Sequence, residues 1–127
     1  MRRRDSKTTD LCDLLSKALQ TRRFAQALEL YELIETRKPD EPRWAHRKGD
    51  LLRRLGRNAE AVLAYERAVQ LYSAKGFEAR AVATAKLLLA IDPSKAAVLE
   101  RVDSKAARGF DEQKSRNAAQ SRVLHAD

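Results

Sequence analysis

Apolar side chains recur along the chain at three- and four-residue steps: Leu11 and Leu14, Ala27 and Tyr31, Gly49 and Leu52, Ala61, Tyr65 and Ala68, Ala81, Ala85 and Leu88, Leu99, Val102 and Ala106. That period is the one an amphipathic helix needs to present a single face to a core. It predicts helices over residues 8–20, 23–37, 42–55, 58–75, 77–91 and 93–107. Punctuation supports the boundaries. Pro42 and Pro93 suit first helical positions, Asn58 and Asp92 suit N-caps, and Gly56 and Gly76 suit the residue just past a helix end, where positive φ is needed. In the sixth segment Leu99, Val102 and Ala106 form one narrow apolar stripe, while Lys95, Glu100, Arg101, Asp103 and Lys105 face water, the pattern of a capping helix.

The pattern also repeats on a longer scale. ALELYELIETRKPD, from Ala27, and AEAVLAYERAVQLYS, from the second alanine at Ala61, both place Ala and Tyr four residues apart, at an offset of 34 residues. The same offset pairs Leu15 with Gly49, Ala18 with Leu52, Arg22 with Gly56 and Pro39 with Ser73. A small residue followed by an aromatic one turn later lets two helices approach closely and then fills the space beside them.

Over residues 8–107 this resembles the tetratricopeptide repeat, a helix-turn-helix unit of about 34 residues. In the second copy Gly49, Leu52, Gly56, Ala61, Tyr65 and Ala68 carry the resemblance; in the first, Leu11, Leu14, Phe24, Ala27, Tyr31 and Pro39 do. The first helices depart from the pattern. Trp44 lies one residue early for the usual aromatic, Lys48 stands where Leu is typical, and Leu15 and Arg22 replace a small residue and a turn glycine. The resemblance implies an all-α, right-handed solenoid of antiparallel helix hairpins with about six helices.

A third signature, GFEARAVATAKLLLAIDP, follows too soon, because Ala81 lies only 20 residues after Ala61. Counting back from Gly76 as a turn glycine places first-helix positions on Tyr65, Ala68, Val69 and Tyr72. One long helix at 58–75 then closes repeat two (42–75) and opens repeat three (58–93), after repeat one (8–41) and before a capping helix at 93–107. This shared helix is expected to be the most buried. The alternative parse is an ordinary helix followed by an unrelated hairpin.

Composition narrows the class further. A chain of 127 residues is one domain's worth, and four Gly, three Pro and few aromatics among abundant Ala, Leu, Arg and Glu suit an all-helical protein. One cysteine, Cys12, cannot form an internal disulfide, and no apolar run reaches the roughly 18 residues of a membrane span, so the cytoplasm is the expected compartment and no membrane the expected partner. The net charge of +8 is uneven: +3 in residues 1–7, +4 in residues 41–57, near zero elsewhere in the body, and +2 from residue 95 onward. Arg2, Arg3, Arg4 and Lys7 read as a basic disordered arm, and residues 108–127 as a polar tail. Such patches favour acidic partners without choosing among them.

No catalytic constellation is visible. His46 and His125 lie in unrelated segments without ligands at metal spacing, Cys12 has no base partner, and no glycine-rich phosphate loop occurs, so neither enzyme activity, metal nor cofactor is expected. The resemblance implies instead a groove lined by the first helix of each hairpin. On the helix at 42–55 the residues left over from packing are Arg43, His46, Arg47, Asp50, Arg53 and Arg54, with Arg43, Arg47, Asp50 and Arg54 on one face. Guanidinium forks in a row grip carboxylates by paired hydrogen bonds. The carboxylate clamp known in chaperone-binding repeats is not reproduced, since Cys12 and Ser16 stand at its Lys and Asn positions. The expected partner is an acidic peptide or helix of another protein, and such modules often accompany bacterial signalling domains. A second reading gives the arm and the Arg-rich helix to nucleic-acid phosphates.

Overall fold

The computed structural model describes residues 6–102, and everything said of structure below refers to them. They are all-helical. In order stand α1 (Ser6–Gln20), α2 (Phe24–Arg37), α3 (Pro42–Arg54), α4 (Asn58–Ala74), α5 (Glu78–Ile91), a single 3-10 turn (Pro93–Lys95) and α6 (Ala96–Val102). Arg2, Arg3, Arg4, Ala106 and the tail lie outside the described residues, and Lys7 falls within α1 rather than in an arm before it.

One turn is built three times. The backbone N–H of Arg23, Arg57 and Phe77 each donates to the carbonyl five residues back, on Ala18, Leu52 and Tyr72, while Arg22, Gly56 and Gly76 donate to Leu19, Arg53 and Ser73. This is the Schellman closure, which requires a left-handed residue just past the helix. Gly56 and Gly76 take it at φ 76° and 77°, and Arg22 takes it at φ 57°. In all three places the following helix then buries the same steps: Ala27, Tyr31 and Ile34; Ala61, Tyr65 and Ala68; Ala81, Ala85 and Leu88. The connections before α3 and the 3-10 turn are of another kind, each led by proline.

Each helix packs on its neighbour in sequence, and α4 lies between α3 and α5. Seven of its residues are buried, the most of any helix: Ala61, Val62, Ala64, Tyr65, Ala68, Val69 and Tyr72. Where it meets α3 there is no room for a side chain at Gly49, since a Cβ there would stand 2.8 Å from the Tyr65 ring.

Two cap assignments differ in outcome. Asp92 caps as expected, its Oδ1 accepting from the Ser94 N–H at 3.1 Å and the Ser94 hydroxyl at 2.6 Å; the serine bonds hold its carboxyl below the usual range. Asn58 does not cap. It is the first helical residue, and Arg57 before it makes no side-chain cap bond but forks onto Glu60 at 2.7 and 2.9 Å, a charge-assisted pair. In α6, Val98 joins Leu99 in the core.

Lys48, the departure from a leucine position, has a structural cause. Its Nζ lies 2.7 Å from the Glu35 carboxylate of α2, with both side chains largely covered, and Arg67 of α4 approaches the same carboxylate at 3.9 Å. An ion pair stands where an apolar contact was expected.

Candidate functional site

The surface of α3 sorts its charged residues into two sets. At its start Glu41 accepts from Trp44 Nε1 at 2.8 Å and from Arg43 Nε at 3.2 Å, and the Arg43 guanidinium lies over the Trp44 ring at 4.6 Å. Arg43 is thereby neutralised locally. Arg47 also lies over the Trp44 ring, 5.4 Å from its centre, and among the described residues no carboxylate stands within ion-pair distance of it. Arg54 is exposed and equally unpaired.

One turn along, the helix becomes a polar wall. Asp50 Oδ1 accepts the Tyr65 hydroxyl at 2.5 Å, and its Oδ2 lies 3.7 Å from His46 Nε2. The His46 ring stands edge-on to Tyr65 and Tyr72, at 5.8 and 5.9 Å, and its Nδ1 is 3.3 Å from both the Tyr72 hydroxyl and Thr84 Oγ1. Thr84 in turn donates to the Arg80 carbonyl at 2.7 Å. His46 is therefore half-buried and joins α3 to α4 and α5. This corrects its assignment to the residues left over from packing; a ring of its size at that step fills the angle between three helices.

The tyrosines register these charges. Burial pushes the Tyr65 hydroxyl far above the usual tyrosine range, Asp50 pushes it further by accepting its hydrogen bond and by its charge, and Arg53 opposes. Burial also raises Tyr31 and Tyr72; Arg47 opposes it at Tyr31, while Arg80 and then Arg47 oppose it at Tyr72, and Asp50 adds to the rise at both. Arg47 and Asp50 thus act on hydroxyls from α2 and from α4, and Arg80 enters from α5. All three hydroxyls stay protonated near neutral pH, and those of Tyr65 and Tyr72 bond to Asp50 and His46.

Of the six residues singled out on α3, His46, Arg47, Asp50 and Arg53 converge on this wall, Arg43 is diverted to Glu41, and Arg54 stands apart. Sequence reasoning missed Tyr72's hydroxyl, Arg80 and Thr84. Thr84 carried a signal, since it is a polar residue at a step where α2 and α4 bury Leu30 and Ala64. No known family model matches the chain, and comparison with curated proteins finds no match.

Between α2 and α4 lies an open cleft of about 480 Å³ floored by Leu28 and Leu52. Its walls balance Glu29, Glu32 and Glu60 against Lys48, Arg57 and Arg67, and Leu63 projects from its rim 65% exposed. Among the described residues no group of His, Cys, Asp and Glu is arranged to hold a metal ion, and none of the helices is long and apolar enough to cross a membrane.

Proposed function

We propose that this chain is a non-enzymatic adaptor of the cytoplasm, a tetratricopeptide-type solenoid of antiparallel hairpins that holds an acidic segment of a partner protein against α3. One observation carries it: Arg47 and Arg53 are exposed beside a wall of tyrosine hydroxyls, Arg54 is exposed farther along the same helix, and among the described residues none of the three forms an ion pair. An unpaired guanidinium at a surface is an open bidentate site for carboxylate, and a row of them on a preformed face selects acidic partners chiefly through encounter and register. The three-fold turn and the shared burial steps of α2, α4 and α5 support the repeat assignment. A role in bringing regulatory proteins together follows by analogy with other short modules of that kind.

The test is capture. The chain retrieves a partner from lysate, mass spectrometry identifies it, and a synthetic copy of its most acidic segment is titrated. Arg47→Glu, Arg53→Glu and Arg54→Glu combined are expected to abolish binding with helical content unchanged, whereas Arg43→Glu, already balanced by Glu41, weakens it only a few-fold. Undiminished binding by the triple variant would sink the proposal, and tighter capture of DNA or RNA than of any protein would move the face to nucleic acid.

A further inference from the structure

The cleft between α2 and α4 is balanced in charge by count but not by pairing. Each of its cations is met within the protein: Lys48 lies 2.7 Å from Glu35, Arg57 forks onto Glu60 at 2.7 and 2.9 Å, and Arg67 donates to the Pro39 carbonyl at 3.1 Å and approaches Glu35 at 3.9 Å. Glu29 and Glu32, exposed and about one turn apart on α2, have no cation within ion-pair distance among the described residues. Leu63, 65% exposed at the rim, is also the ridge to a further open depression of about 440 Å³ that reaches Ile91 of α5. The same asymmetry holds there. Lys95 lies 3.1 Å from Glu66, whereas Asp92 bonds Ser94 but has no cation within ion-pair distance among the described residues. An apolar strip thus runs from Leu28 across Leu63 to Ile91, and the unpaired charges lining it are all negative.

We propose that this strip docks a basic amphipathic helix of a partner protein, with its apolar stripe seated in the depressions on either side of Leu63 and its Lys or Arg residues against Glu29, Glu32 and Asp92. It is a second surface, independent of what the arginines of α3 hold. A single exposed leucine is ordinary, but one that divides two depressions edged by unanswered carboxylates has the layout of an apolar anchor inside a charged rim. The occupant is a helix for a physical reason. Leu28, Leu52 and Leu63 lie inside helices whose backbone groups bond internally, so an extended peptide finds no backbone partners on this floor, while a helix arrives with its own groups satisfied. A second copy of the chain does not answer the charge. Two-fold pairing lays the same patch on itself, and each copy would bring three unpaired carboxylates and no unpaired cation among the lining residues. The net charge of +8 opposes a basic partner mainly at long range, where salt screens it beyond about 8 Å, and the nearby carboxylates decide at contact.

The experiment titrates the full chain by NMR with synthetic helical peptides of about 15 residues. One carries a leucine stripe at helical spacing flanked by lysines, a second the same stripe flanked by glutamates, and a third the lysine peptide scrambled so that no stripe remains. The lysine-flanked helix is expected to shift the methyl signals of Leu28, Leu63 and Ile91 and to bind about tenfold more tightly than either control. Leu63→Ser, at an exposed position and checked by melting temperature, is expected to weaken it about tenfold. Glu29→Lys combined with Glu32→Lys is expected to reverse the preference, so that the glutamate-flanked helix binds the more tightly. Silence of Leu63 toward the lysine-flanked helix, equal binding of any control, or an affinity untouched by Leu63→Ser would each overturn the proposal. A chain that sediments as a dimer until Leu63→Ser makes it monomeric would overturn it in favour of a second copy. None of these results bears on the acidic segment, whose capture depends on Arg47, Arg53 and Arg54.

Discussion

Gly49 and Tyr65 show how one missing side chain sets the geometry of the polar wall on α3. The Tyr65 ring occupies the space beside a Cβ at residue 49, 2.8 Å away, and it is held there because its hydroxyl bonds Asp50 and its ring packs perpendicular to His46. Gly49→Ala therefore tests the contact cleanly. Forcing a methyl group into a packed site costs about 1–3 kcal/mol, and alanine returns about 1 kcal/mol of helix propensity over glycine. A net loss of about 1 kcal/mol is expected in urea unfolding, although the substitution would stabilise an unpacked helix. Residue-level chemistry was also where sequence reasoning reached least far. The arginine row on α3 is legible because its spacing is local, but the diversion of Arg43 by Glu41, the wedging of His46 and the arrival of Arg80 and Thr84 depend on side-chain geometry and on helices far apart in the chain.

At the scale of elements, turn chemistry explains why the helices could be read to within about two residues at most ends. Pro42 and Pro93 fix φ, and Gly56 and Gly76 admit the positive φ of the turn, so their positions transmit directly into structure. Arg22 is the informative exception, because it adopts the same left-handed turn without the residue that signals it. Lys48 is another. Reading it as a departure from an apolar position was correct as pattern, but its partner Glu35 lies on a different helix and could not be paired by spacing. Substituting Lys48→Leu alone leaves the covered Glu35 carboxylate with only the distant Arg67, and a loss of about 2 kcal/mol is expected in thermal or urea unfolding. Adding Glu35→Leu removes the stranded charge, and the double variant is expected to recover wild-type stability or exceed it. A double variant less stable than Lys48→Leu would show that the pair itself holds α2 to α3.

The molecule as a whole presents two unlike faces. On one, tyrosine hydroxyls from α2 and α4, the network of His46 and Asp50, and the arginines of α3 and α5 make a basic polar wall. On the other, the cleft between α2 and α4 is balanced in charge and apolar at its floor, with Leu63 exposed at its edge. α4 contributes to both, through Tyr65 and Tyr72 inward and Leu63 and Arg67 outward, so its length and central burial hold the faces at a fixed relation. The most direct test of the account is to map the captured partner's acidic segment on the full chain by NMR chemical-shift perturbation. The account predicts shifts centred on His46, Arg47, Arg53, Arg80 and Thr84, fading toward Leu63. Shifts confined to Glu29, Glu60 and Leu63, with the arginines of α3 silent, would contradict it.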